Sequence, residues 1–183
     1  MIVLDQFLMN FRALKNLNKT AQFADVINPY DGVTYPHIFR DIPEDIESDV
    51  LENIERAIGF TPRDAEMFMR RSPEGVAVPH IFHNDISMSK YSLMLYLNDH
   101  PGGGTGFAKY KADKAIKPAS ENVDSYAADA NNREAWHIYK RSEMKENRAL
   151  IFDADLFHCA LPIGGFGAGV NARTVLTCFF NRD

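Results

Sequence analysis

The sequence predicts a mainly β protein with flanking helices, an antiparallel sandwich or barrel of jelly-roll type behind a helical front. Three observations predict it. Up to Gly59 the apolar residues recur at helical spacing, and beyond it they alternate. The alternating segments are short and are separated by Gly and Pro clusters, notably Pro101-Gly102-Gly103-Gly104 and Gly164-Gly165-Phe166-Gly167. Finally, His83, Asp85, His158 and Arg173 lie far apart in sequence, each at the edge of an alternating segment. A jelly roll can gather such residues, because it lays distant strands side by side around one cavity.

Taken in order, residues 1–4 read as a short strand. Asp5 is a plausible N-cap for a helix reaching about Lys19, with Phe7, Phe11, Leu14 and Leu17 as its apolar stripe. Residues 28–43 are rich in turn formers (Asn28-Pro29-Tyr30-Asp31-Gly32, then Tyr35-Pro36) and read as a loop. Pro43 opens a second helix, whose first turn carries Glu44, Asp45 and Glu47 to complement the helix dipole. Its inward face is Ile46, Val50, Ile54 and Ile58, and Gly59 ends it. Strands follow at Ala65–Arg70, Tyr91–Leu97, Gly106–Tyr110, Ala149–Asp153 and Thr174–Phe180. The polar stretch 111–147 interrupts them as an insertion. A helix is expected in it near Asn132–Tyr139, and its length suggests a mobile rim or lid over the cavity. The whole is one domain, 1–183, with 1–62 a helical support and 63–183 the β core.

Composition narrows the function classes. A chain of 183 residues, 45% hydrophobic and 25% charged, is that of a soluble globular domain able to bury a core. Its net charge of −5, with Lys and Arg scattered, disfavours a nucleic-acid partner. Cys159 and Cys178 are too few for a disulfide framework, and no C-x-x-C zinc signature occurs. The start, Met1-Ile2-Val3-Leu4-Asp5, reads as no secretory signal, and no apolar run has the length of a membrane span. The expectation is a cytoplasmic, reduced protein. Oligomeric state leaves no mark in the sequence.

His83-Asn84-Asp85, Phe157-His158 and Arg173 carry the chemistry. In extended chain, residues two apart share a face, so His83 and Asp85 can converge on one ion. Two imidazoles and a carboxylate suit iron(II) and leave coordination positions open. Arg173 offers a planar fork for a carboxylate beside the metal. Each piece also has a bland reading. An H-x-D is common by chance, His80 and His137 compete as ligands, His158 reads equally as a core histidine, and Arg173 as a surface charge.

The segment His83-Asn84-Asp85, Tyr91 to Asn98, and Gly102-Gly103-Gly104-Thr105-Gly106-Phe107 resembles the iron(II)/2-oxoglutarate-dependent dioxygenases, in their prolyl-hydroxylase-like branch. Asn147 to Asp153 with Phe157-His158, and Arg173 to Phe180, resemble that family's distal-histidine and cosubstrate-arginine strands. The likeness covers about residues 78–183. It implies a double-stranded β-helix, with His83, Asp85 and His158 as iron ligands. It implies Arg173 as partner to the far carboxylate of 2-oxoglutarate, and the Tyr96 hydroxyl as a second donor. Tyr96 reads equally as a core aromatic, and Asn98, Thr105 and Phe107 as turn and core residues. The implied activity is hydroxylation of an amino-acid, peptidyl or small-molecule substrate with release of succinate and carbon dioxide, with ascorbate as an accessory reductant. Related halogenases lack the carboxylate at the position of Asp85, which favours hydroxylation. Two departures reshape the site's rim, the glycine-rich Gly164–Gly169 loop and the 111–147 insertion. A cupin-like isomerase or a non-catalytic metal-binding jelly roll stays open as an alternative. A nucleic-acid demethylase of the same superfamily would carry a second arginine soon after Arg173, whereas Arg182 is the next.

Overall fold

In the computed structural model the described residues are 1–29 and 31–182. Tyr30, within the expected 28–43 loop, lies outside the described residues, as does Asp183. A large antiparallel sheet is built on the apolar alternation of its strands. Its centre is β10 (Arg173–Asn181), flanked by β4 (Arg63–Ser72) and β5 (Tyr91–Tyr96). Beyond β5 lie β8 (Ala149–Asp153) and β1 (Ile2–Leu4), and beyond β4 lie β3 (Thr34–Phe39) and β2 (Ala24–Ile27). A smaller sheet has β6 (Gly104–Tyr110) between β7 (Trp136–Glu143) and β9 (His158–Leu161). Mostly β, with helices on one side, is what the sequence predicts.

Period 2 sorts the side chains of the large sheet. On one face Met67, Met69, Leu93, Leu95, Leu176, Cys178 and Phe180 meet the helices α1 (Phe11–Thr20) and α2 (Glu44–Ile58). Leu14, Val50 and Ile54 reach zero exposure there. On the other face Tyr96 and Val175 pack with Phe107 of the small sheet and with Leu150 and Phe152. The space left between the sheets holds the cavity described below. α2 begins with three acidic residues in its first turn and ends at Gly59, whose left-handed φ of 78° lets its N–H reach Glu55 O at 2.8 Å.

The structure departs from the expected elements where tertiary bonds overrule local pattern. α1 starts at Phe11, not Asp5. The segment before it is held open from outside. Phe7 N–H donates to Asn147 O, Leu8 N–H donates to Asn147 Oδ1, and Asp5 accepts from Arg148 Nε at 2.6 Å. The expected 28–43 loop contains β3, which joins β4 through Ile38 opposite Arg70 and Phe39 opposite Met69. Pro36 and the positive φ of His37 disguise it as a turn. β9 is too short a run to stand out.

The 111–147 insertion is the largest correction. The expected helix at Asn132–Tyr139 is one 3₁₀ turn at Arg133–Ala135 followed by β7, and the α-helix is α3 (Val123–Ala128). The segment is not a rim. Trp136 is buried, stacks on Phe82 at 5.2 Å, and meets Tyr110, Tyr126 and Phe157, while its Nε1–H donates to Asp129 O at 2.8 Å. This aromatic cluster lies on the outer face of the small sheet, away from the cavity.

Candidate metal centre

Phe82 and Phe157, anchored in that cluster, immediately precede His83 and His158, so the packing fixes where the two histidines emerge. The main chains of His83 and His158 then bond to each other reciprocally, His83 N–H to His158 O at 3.1 Å and His158 N–H to His83 O at 2.9 Å. Asp85 N–H donates to Ala154 O at 2.7 Å, tying the third residue to the same end of the sandwich.

The side chains converge. His158 Nε2 lies 3.2 Å from Asp85 Oδ2, and His83 Nε2 lies 3.8 Å from Asp85 Oδ1. One ligand atom from each residue falls within 4.8 Å of the others. Each ring turns Nδ1 toward a main-chain carbonyl, His83 to Ile81 O at 3.3 Å and His158 to Leu156 O at 2.9 Å. That arrangement assigns the proton to Nδ1 and leaves Nε2 as a lone pair facing inward.

The decisive detail is what those inward atoms fail to do. Asp85 Oδ2 and His158 Nε2 are both buried and have only each other, at 3.2 Å, with no further polar partner. Burying a carboxylate and an imidazole that have only each other is costly. Three ligands on one face of an octahedral ion, at typical bond lengths, stand about 3 Å apart. The observed spacings fit such an ion, and the donor set of two imidazoles and a carboxylate suits iron(II). Among the described residues His80 lines the cavity without joining the cluster, and His137 is exposed on β7.

Electrostatics keep His83 and Asp85 in ligand form, while the Asp85 carboxylate favours a proton on His158 that a metal would displace. Burial, and then the neighbouring His158, push His83 down to about 4. Burial opposes the charged form of Asp85, but His158 and His83 outweigh it and hold the carboxyl below its ordinary value. Burial likewise opposes a charged His158, and Asp85 outweighs it, so that pKa is raised.

Arg173 heads β10 and is 3% exposed. Its Nε donates to Leu161 O at 3.2 Å and one Nη to Gly104 O at 3.1 Å, fixing the fork between β9 and β6. Gly104 has to be glycine there, since its φ is 136° and a Cβ would meet Ser142 O at 1.9 Å. No carboxylate among the described residues pairs with the guanidinium, and burial pushes its pKa down to about 10. Arg173 and the triad line one cavity, of volume ≈ 90 Å³, whose walls include Phe68, Met94, Thr105 and Val175.

Tyr96 is placed differently from the other sequence-derived site residues. It is fully buried and does not line the cavity, and its hydroxyl lies 2.7 Å from Thr105 Oγ1, which does. Sequence reasoning therefore missed Thr105, read there as a turn residue, and it missed Arg70 altogether. The available signal for Arg70 was a lone cation in the cavity-facing register of an alternating strand.

A second cavity, of volume ≈ 160 Å³, adjoins the first at His83 and Asp85, and its wall includes Tyr35, Asn84 and Met88. Arg70, Phe68, His80 and Phe179 line both. The rims include Asn28, Asp31, Tyr35, Val76, Val78, Ile163 and Gly164, and no residue of the insertion lines either cavity.

No protein-family model matches the sequence, and no curated protein does. Solved structures do match in fold. A prolyl-4-hydroxylase from Pseudomonas putida has a TM-score of 0.58 at 18% identity, covering 99% of this chain and 92% of that one. HygX from Streptomyces hygroscopicus, with nickel and 2-oxoglutarate bound, has a TM-score of 0.56 at 12% identity, covering 97% and 80%. EctD from S. alaskensis, with 2-oxoglutarate and 5-hydroxyectoine, has a TM-score of 0.55 at 12% identity, covering 99% and 71%. The chain therefore has the jelly-roll fold of the iron and 2-oxoglutarate oxygenases, as its own motifs imply. No helix among the described residues is long and apolar enough to cross a membrane.

Proposed function

We propose that this chain is an iron(II)- and 2-oxoglutarate-dependent oxygenase that hydroxylates a small-molecule or peptidyl substrate. The observation that carries the reading is the meeting, in one cavity, of three converging, buried ligand side chains and a buried, carboxylate-free guanidinium. One needs a cation and the other an anion, and a metal with a dicarboxylate cosubstrate satisfies both. The shared fold supports the same reading.

In this proposal His83, Asp85 and His158 hold the iron. Iron(II) bound there would supply the redox chemistry, coupling decarboxylation of 2-oxoglutarate to succinate and carbon dioxide with oxidation of the substrate. The protein's own residues orient and shield. Arg173 takes the far carboxylate of 2-oxoglutarate with its planar fork. Thr105 offers that carboxylate a hydroxyl from the cavity wall, and Tyr96, in place of the direct donor role its motif implied, orients Thr105 through the bond between their hydroxyls. Phe68, Met94 and Val175 keep water away from the reacting region. Hydroxylation rather than halogenation, a cytoplasmic setting and ascorbate as the reductant belong to the same proposal. A cupin-type isomerase or binding module would give Arg173 no task.

The test is 2-oxoglutarate binding. Calorimetry with manganese(II) in place of iron should show saturable binding by the wild type. Arg173→Lys keeps the charge but loses the fork, so affinity should fall about tenfold or more, while manganese affinity holds. A wild type blind to 2-oxoglutarate, or an Arg173→Lys protein that binds it unchanged, sinks the assignment.

A further inference from the structure

The cavity holds a second cation, Arg70, that forms no ion pair with any described residue. β4 runs antiparallel to β10, with Ser72 opposite Arg173 and Arg70 opposite Val175. Arg70 is thus one step of the same face further along, about 7 Å of strand from the Arg173 row. Ser72, Arg70 and Phe68 all face the cavity, whereas Met69 and Met67 are buried under the helices.

Arg70 makes no hydrogen bond and no ion pair with any described residue. Its guanidinium carbon lies 5.5 Å from the centroid of the Tyr35 ring, so an aromatic covers one side of the fork. The carboxylates in its cavity are already engaged. Glu66 pairs with Arg40 at 3.7 Å. Asp31 accepts from the Tyr35 hydroxyl at 2.8 Å and from Val33 N–H at 2.9 Å. Asp85 belongs to the triad. Burial depresses the Arg70 pKa, and the nearby Tyr35 and Asp85 offset only part of that shift.

Position identifies the missing partner. Arg70 lines both cavities and so stands where they meet, beside His83 and Asp85. Arg173 already serves the inner cavity, and the outer one is free for the molecule to be oxidised. Resting on the oxygenase reading, we propose that Arg70 binds a carboxylate of the substrate, which makes the substrate class a small carboxylic acid. The fork, flanked by Tyr35, offers paired parallel N–H groups, the geometry that two carboxylate oxygens match. A neutral or purely cationic substrate would leave that guanidinium without an ion partner in the cavity.

The experiment uses the full chain loaded with manganese(II) and saturating 2-oxoglutarate. Free L-amino acids and 3-phenylpropionate are titrated by calorimetry, each beside its carboxamide. Acids should bind, and the matched amides should bind at least about tenfold more weakly. Arg70→Gln should erase that difference while 2-oxoglutarate affinity stays within about twofold, and Arg70→Lys should keep part of it. The wild-type comparison needs no variant, so a poorly folding Arg70→Gln does not rescue the idea. Acids and amides that bind alike, a panel in which no acid binds, or an Arg70→Gln protein that loses 2-oxoglutarate as well, each overturns it. A wild type that fails to bind 2-oxoglutarate instead overturns the oxygenase reading. The acid-against-amide difference is then still read on the manganese protein alone.

Discussion

At the scale of single residues, the Tyr96–Thr105 pair separates a wall residue from the one behind it. Thr105 lines the cavity, whereas Tyr96 does not, and the two hydroxyls lie 2.7 Å apart. Thr105→Val should weaken 2-oxoglutarate binding by roughly fivefold, the scale of one hydrogen bond. Tyr96→Phe should weaken it less, because it only frees the Thr105 rotamer. Calorimetry on the two variants checks the order, and a larger effect at Tyr96 would mean that its hydroxyl reaches the ligand itself. The triad and Arg173 were legible in the sequence because their residue types are rare at strand edges and their order is specific. Arg70 was not. A charge in an alternating strand normally marks the solvent face, and only the partner sheet reveals that this face looks inward. Thr105 was hidden for a related reason, since a threonine beside glycines suits a turn as well as a cavity wall.

At the scale of elements, two packed faces serve different ends. Ile54 of α2 has zero exposure and lies in the helix-facing core, remote from the cavity wall. Ile54→Ala should cost roughly 2–5 kcal/mol in chemical denaturation and leave manganese affinity intact in the folded protein. Trp136 of β7 supports Phe82 and Phe157, the chain neighbours of two ligands. Trp136→Ala should cost roughly 3–5 kcal/mol and also weaken metal binding several-fold, because the emergence points of His83 and His158 loosen. Metal affinity unchanged in Trp136→Ala would detach the insertion from the site. α2 could be read from its periodicity and its caps almost to the residue. β7 could not, because Asn131-Asn132 suits a helix start and a single 3₁₀ turn before a strand alike. Here Asn132 Oδ1 accepts from Glu134 N–H, and the turn goes no further than Ala135. The early end of the expected first helix failed for another reason: Asn147 and Arg148, distant in sequence, claim its hydrogen bonds.

At the scale of the molecule, the double-layered β architecture was legible from the change of period at Gly59, whereas the strand partners were not. Register depends on which distant faces fit, and no local pattern carries that. The assembled site then feeds back on stability. An ion that binds only the folded triad should raise stability by about 2.7 kcal/mol at a hundredfold excess over its Kd. For a chain of this size that is roughly 5–10 °C in Tm. Differential scanning calorimetry with manganese(II), before and after a chelator, should show the shift and its reversal, and Asp85→Ala should abolish it. A shift that survives in Asp85→Ala would place the ion elsewhere.

The reciprocal main-chain bonds between His83 and His158 also order events in time. They close a long loop that contains β5, β6, β7 and β8, so the three ligands are apart until nearly the whole sandwich has assembled. Before that moment the chain offers an ion only an isolated His-x-Asp. A metal bound at the triad would therefore be a latch on a finished structure rather than a template for it. In stopped-flow experiments manganese(II) at that same excess should leave the refolding rate within about twofold and slow unfolding by about a hundredfold. An ion that hastened refolding would mean that His158 meets the other two ligands already in the transition state.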